Sequence, residues 1–143
     1  MVKKKSKYNQ NSQIRSALRR TFSRSPIVRE ILNSARIEYD QYKKDGTIAK
    51  RKAVRYKCAI CGKEFKSSEV SVDHIIPVIP VNSEFDGWDN FIERLFCDKD
   101  NLQVVCSYKL KDRNKHEGRS SCHHIKTQEE RRQRKETEKM RKI

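Results

Sequence analysis

Val70-Ser71-Val72-Asp73-His74-Ile75-Ile76-Pro77 is the stretch on which the reading of this chain turns. Valines alternate with polar residues, an apolar pair follows, and a proline closes the run, which is the pattern of a strand stopped at Pro77. Successive side chains on a strand leave on opposite faces, so Asp73 and His74 point apart. That arrangement lets one bind a metal ion while the other faces a substrate. Upstream stands Cys58-Ala59-Ile60-Cys61-Gly62. A tight turn there aims two thiolates at one ion, and the glycine tolerates the positive φ that such a turn needs. Downstream, Asn101-Leu102-Gln103-Val104-Val105-Cys106 reads as a second strand. Ser121-Cys122-His123-His124-Ile125-Lys126-Thr127 then opens a long polar helix with His123 on its first turn. With Cys106 and Cys122, the CxxC pair has the makings of a four-thiolate site tying the two ends of the central segment together. Cys97 is left over and reads as a small buried hydrophobe.

Such a tie matters because the chain has little to build a core with. It has 143 residues, of which 34% are hydrophobic and 37% charged, and its mean hydropathy is −1.00. One small metal-supported domain fits those figures better than a large apolar core. The formal charge of +15 is the footprint of a polyanion binder, most simply nucleic acid. It is unevenly spread. Residues 1–57 carry 17 basic and 4 acidic groups, residues 58–107 carry 4 and 9, and residues 108–143 carry 13 and 6. Basic flanks therefore surround an acidic middle, whose Glu84, Asp86, Asp89, Glu93, Asp98 and Asp100 read either as cation-binding groups or as a solvated loop. No apolar run reaches membrane-span length, and no apolar segment follows the lysines of the N-terminus, so the expectation is a soluble cytoplasmic protein without a membrane partner. Five cysteines, an odd number with one CxxC pair, point to metal in a reducing compartment.

Residues 1–11 read as a disordered basic tail. From Ser12 a helical period places Ile14, Ala17, Leu18 and Phe22 on one face. Ser25-Pro26 reads as an N-cap and first helical residue, and Val28, Ile31, Leu32, Ala35, Tyr39 and Tyr42 continue at helical spacing to Asp45-Gly46. Residues 12–57 are thus predicted to be a helical basic arm. Trp88 and Phe91 read as core anchors of a loop or short helix.

CxxCG, VDHIIP, NLQVVC and CHHIKT, in that order, resemble the HNH endonucleases of the zinc-stapled kind common in bacteriophages, over residues 58–130. The resemblance implies an α+β fold with a ββα-metal core; beyond it, residues 131–143 read as a basic extension of the last helix, either solvated or phosphate-binding. It implies metal-dependent hydrolysis of DNA, double-stranded rather than single-stranded, leaving 5′-phosphate and 3′-hydroxyl ends. In that pattern His74 is the general base and Asn101 holds its imidazole. Asp73 and His123 bind a catalytic Mg²⁺ or Mn²⁺, with Zn²⁺, Ni²⁺ or Co²⁺ also compatible, while Cys58, Cys61, Cys106 and Cys122 hold structural Zn²⁺. The chemistry is coherent on its own terms: an imidazole deprotonates water near neutral pH, and a cation stabilises the charge that develops on phosphate.

One departure from the family pattern stands out. Its third and fourth cysteines are usually two residues apart, whereas residues 107–121 separate Cys106 from Cys122 here. His116 and His124 are the alternatives for the fourth ligand, although His124 lies about 100° around the helix from His123. Lys109, Lys111, Arg113, Lys115 and Arg119 make the inserted loop basic, either as a DNA-phosphate contact or as a solvated surface. Two rival functions remain open: a non-catalytic zinc-ribbon nucleic-acid-binding protein, and an RNA-directed nuclease on the same scaffold.

Overall fold

The computed structural model describes residues 8–142, so most of the predicted disordered tail lies outside the described residues. Helix α1, Gln10–Ser23, begins two residues before the predicted start because Asn9 Oδ1 accepts the Ser12 N–H at 3.1 Å. Its apolar face ends in Phe22, which is buried. Helix α2, Pro26–Ser34, does begin with proline at its first position. The Ser25 hydroxyl instead donates back to the Phe22 carbonyl, 2.6 Å, fixing the corner between the helices.

The predicted helical arm over residues 12–57 needs correction, because the helix stops at Ser34. Strand β1, Arg36–Tyr39, runs antiparallel to β2, Ala53–Lys57, with Arg36 opposite Tyr56 and Tyr39 opposite Ala53. Ala35, Tyr39 and Tyr42 satisfy a helical spacing, but Ile37 and Tyr39 equally satisfy period two, and pairing with β2 decides between them. Asp45-Gly46 turns the chain back on itself: Gly46 has φ +85°, and its N–H donates to the Lys43 carbonyl at 2.9 Å. What reads as a helix stop is the tip of a hairpin.

Strand β3, Glu64–Phe65, extends this to a three-stranded antiparallel sheet in the order β1-β2-β3. A separate two-stranded antiparallel sheet joins β4, Val70–His74, to β5, Leu102–Cys106, with Val70 opposite Cys106 and His74 opposite Leu102. Helix α3, Trp88–Leu95, lies between them in sequence. Helix α4, Cys122–Arg141, follows and packs on β5. The architecture is mixed α+β.

Four of the five residues of β5 are buried, because the strand serves two cores. One gathers Phe22, Val78, Phe91, Leu95 and Leu102. The other gathers Cys58, Phe65, Val105, Cys106 and Cys122. Phe91 is 1% exposed and meets Trp88 edge to face, as expected of core anchors; truncating a phenylalanine at such a site costs roughly 3–5 kcal/mol. Cys97 sits at the margin of the first core. No helix among the described residues is long and apolar enough to cross a membrane.

Candidate metal centre and adjoining cleft

Four elements converge on the cysteines. Cys58 and Cys61 sit on the turn between β2 and β3, Cys106 ends β5, and Cys122 starts α4. Gly62, at φ +73°, donates its N–H to the Cys58 carbonyl at 3.0 Å, closing the turn as the CxxCG spacing predicts. The Ala59 N–H donates to the Val104 carbonyl at 2.8 Å, which fastens the turn to β5. Ser121 caps α4 by accepting the His124 N–H at 3.2 Å and so aims Cys122 inward.

The four Sγ atoms all lie within 4.8 Å of one another. Tetrahedral Zn–S bonds of about 2.3 Å place sulfurs roughly 3.8 Å apart, so the set fits zinc after a small contraction. Backbone N–H groups already point at two sulfurs, Cys61 N–H at Cys58 Sγ, 3.5 Å, and Cys122 N–H at Cys106 Sγ, 3.2 Å. Burial opposes ionisation of Cys61, but hydrogen bonds from the Lys63 N–H, Arg119 and the neighbouring cysteines outweigh it and bring its pKa down to about 7. Burial pushes the Cys106 and Cys122 thiols up; a cation at the centre would reverse that. Among the described residues this is the one group of three or more His, Cys, Asp or Glu side chains close enough to share an ion.

The two histidine alternatives for the fourth ligand are placed elsewhere. His116 stacks on Tyr108 with ring centroids 3.9 Å apart. Its Nε2 is 2.7 Å from Glu69 Oε2, a charge-pair distance in an orientation that makes no hydrogen bond. Cys122 supplies the fourth sulfur despite the long insertion, since a loop closed at both ends by the same site is tolerated.

Asp73, His74 and His123 border one open cleft of about 250 Å³. Asp73 and His74 are the last two residues of β4, and both reach this cleft. His74 Nε2 is 2.8 Å from the Leu95 carbonyl. A carbonyl only accepts, so this nitrogen donates, and in the neutral ring Nδ1 is then the acceptor. The ring is also held against Phe22, centroids 5.0 Å apart.

Asn101 acts on the backbone next to His74 and leaves the imidazole to Leu95. Its Oδ1 accepts the Ile76 N–H at 2.8 Å and its Nδ2 donates to the Ile76 carbonyl at 3.1 Å. The Ile75 N–H donates to the Asn101 carbonyl, 2.8 Å. The expected role of holding the ring therefore passes to the Leu95 carbonyl, and Asn101 fixes the chain that leaves β4.

Asp73 and His123 both border the cleft, one carrying a carboxylate and the other an imidazole. Lys126 engages that carboxylate. Its Nζ is 3.0 Å from Asp73 Oδ2, 2.7 Å from Glu130 Oε1 and 2.9 Å from the His74 carbonyl. Burial opposes the charge on Lys126, yet the bonds to Glu130 and Asp73 raise its pKa above the ordinary lysine value. Gln103 Nε2 also donates to Asp73 Oδ2, 3.1 Å.

Sequence reasoning missed Lys126, Glu130 and Arg134, although the signal was present. His123, Lys126, Thr127, Glu130 and Arg134 all border the cleft, and their spacing puts them on one stripe of α4. The basic loop is placed differently from the cleft. Lys109, Lys111, Arg113 and Lys115 are exposed on or beside the short 3₁₀ turn Leu110–His116, and none borders the cleft. Arg119, predicted with them as a phosphate contact, turns to the metal centre and donates to Cys122 Sγ at 2.9 Å. The six acidic residues of the middle segment are likewise absent from the cleft; Asp86 pairs with Arg94, 2.6 Å, and Glu84 with Arg141, 3.0 Å.

No protein-family model, curated protein or solved structure matches this chain.

Proposed function

We propose that the protein is a metal-dependent nuclease of the HNH type that hydrolyses phosphodiester bonds of DNA. The observation that carries the reading is the meeting of Asp73, His74 and His123 at one cleft while the Leu95 carbonyl leaves His74 Nδ1 as an acceptor. The paired strands β4 and β5, which flank α3 in sequence, and the following helix α4 that packs on β5 are compatible with a ββα-metal core, and the four clustered sulfurs suit a structural zinc.

In this mechanism His74 Nδ1 takes a proton from water, and the resulting hydroxide oxygen attacks the phosphorus. The bond from phosphorus to the 3′-oxygen breaks, and that oxygen takes a proton from solvent, giving 5′-phosphate and 3′-hydroxyl ends. A Mg²⁺ or Mn²⁺ ion bound by Asp73 and His123 would supply charge stabilisation at the phosphate and the departing oxygen. Leu95 keeps the imidazole in the tautomer that accepts at Nδ1, and Asn101 keeps the backbone beyond His74 from shifting it.

The decisive test is nicking of supercoiled plasmid by the zinc-loaded protein with and without Mg²⁺ or Mn²⁺, wild type against His74→Ala. Metal-dependent nicking lost in the variant supports the proposal. One observation favours the rival non-catalytic zinc-ribbon binder, namely the Lys126 ammonium on Asp73, which supplies a cation without any metal. That rival expects duplex binding and no nicking under any metal condition. Parallel labelled RNA substrates separate the DNA and RNA forms of the enzyme.

A further inference from the structure

Three guanidinium groups, two at the border of the cleft and one a helical turn away from it, have no acidic partner. Arg19 and Arg134 border it, and Arg15 stands one helical turn before Arg19 on α1. Among the described residues none of the three makes a salt bridge, whereas Arg132 pairs with Glu129 and Glu136, and Arg141 with Glu84.

These side chains are held in place despite lacking counter-ions. The Arg15 guanidinium lies over the Phe85 ring, 5.7 Å from its centroid, and that of Arg19 over the Phe91 ring, 5.6 Å. Arg134 donates to the Ile79 carbonyl at 2.6 Å and to the Pro80 carbonyl at 3.5 Å. Arg19 is exposed and borders the cleft together with Arg134, and partial burial together with the charges of Arg15 and Arg134 lowers its pKa. Aromatic faces and carbonyls orient guanidinium groups without neutralising them. Helices from opposite ends of the chain, α1 and α4, thus bring Arg19 and Arg134 to the border of one cleft with no carboxylate among the described residues paired to either.

We propose that Arg15, Arg19 and Arg134 are a phosphate clamp that holds the sugar-phosphate backbone of a nucleic-acid duplex against the cleft. The clamp deepens the nuclease proposal and rests on it for the meaning of the cleft, but binding is measured without cleavage. It assigns the phosphate contacts nearest the chemistry to α1 and α4. The loop lysines, which do not border the cleft, are peripheral to it.

The test is the salt dependence of binding to a labelled duplex of arbitrary sequence, by fluorescence anisotropy, using the zinc-loaded full chain in magnesium-free buffer. Each phosphate neutralised contributes about 0.9 to the slope of log affinity against log salt. Arg15→Gln with Arg19→Gln should make the slope shallower by about 1.8, and adding Arg134→Gln by about 2.7. The double variant leaves the Ile79 and Pro80 contacts intact, so it tests the clamp even where the triple variant fails to fold. Lys109→Gln, Lys111→Gln and Lys115→Gln together serve as the loop comparison and should change the slope less than the double variant does. An unchanged slope in the folded double variant, or a larger loss from the loop variant, overturns the clamp. DNA and RNA duplexes run side by side identify the backbone: loss on both or on DNA supports the clamp as stated, while loss confined to RNA keeps the clamp and moves its ligand. A protein that binds through the clamp yet never nicks refutes the nuclease reading alone. One that nicks with an unaltered slope in the arginine variants refutes the clamp alone.

Discussion

The two ends of β5 carry two different kinds of site. At the Cys106 end, four soft donors converge from the β2–β3 turn, β5 and α4, with Cys58 and Cys106 fully buried and Cys122 nearly so. At the Leu102 end, opposite His74, two hard or borderline donors border an open cleft and share their space with an ammonium group. A closed set of four thiolates leaves no place for substrate and suits structure, whereas an incomplete set leaves positions for water and phosphate and suits chemistry. The ends are also mechanically linked. Cys122 and His123 are neighbours on the first turn of α4, so whatever fixes the sulfur also fixes the imidazole.

Breaking the closed end should therefore damage both. Cys58→Ser, or removal of zinc by a chelator, is expected to lower the thermal midpoint by more than any other single change, since apparent zinc-binding energies in small folded sites are on the order of 10 kcal/mol. Circular dichroism with zinc analysis checks it. An unchanged midpoint with full zinc content would show that the cysteines are packing groups and that β5 is held by its apolar residues.

Breaking the open end should separate activity from stability. His74→Ala is expected to reduce nicking by roughly 10²–10⁴-fold, the range of general-base catalysis. Its stability cost is the unpaired Leu95 carbonyl, about 1–3 kcal/mol, small beside the loss of zinc. Retention of wild-type nicking would remove His74 from the mechanism. The ammonium offers a finer probe. Lys126→Met should tighten Mn²⁺ binding about tenfold, equal to roughly 1.4 kcal/mol, because Asp73 loses a competing cation. Calorimetric titration of the zinc-loaded protein reads this directly. Weaker Mn²⁺ binding in the variant would mean that Lys126 helps build the ion site and does not contest it.

The contrast between the ends also explains what could be read from the amino-acid sequence. The sulfur site was legible because CxxCG dictates its own turn; the fourth position was open, and the fold brings Cys122, at the capped start of α4, within reach of the other three sulfurs. β4 was legible from its valine alternation, but it ends at His74, three residues short of Pro77, because Asn101 takes the Ile76 backbone, and β5 begins at Leu102, one residue later than expected. The β1–β2 hairpin was not legible, since four residues, Arg36–Tyr39, fit two periodicities and only the distant partner Ala53–Lys57 chooses between them. The cleft was half legible. Asp73, His74 and His123 stand out by type, but Leu95 contributes a carbonyl, which every residue has, and Arg19 becomes significant only through Arg134, which folding alone brings near. The polar stripe on α4 was visible in the spacing but is overlooked when helices are searched for apolar faces.

The smallest expected effect asks whether the closed end is shaped before metal arrives. In the metal-free fold, hydrogen bonds bring Cys61 down to about 7, below an ordinary thiol near 8.5. A depressed acid contributes stability above its unfolded pKa and loses it as pH falls through the folded value, so this contribution should fade as pH drops through about 7. The same ionisation governs reactivity, because the thiolate is the nucleophile. Alkylation of Cys61 in chelator-treated protein, followed by peptide mass spectrometry, should rise only about twofold from pH 7 to 9, since half the sulfur is already ionised at the start. An ordinary thiol rises more than tenfold over that interval. A profile of the ordinary kind would mean that the turn from Cys58 to Gly62 is organised by the ion, so that the two ends of β5 are assembled together and the cleft exists only in the zinc-bound chain.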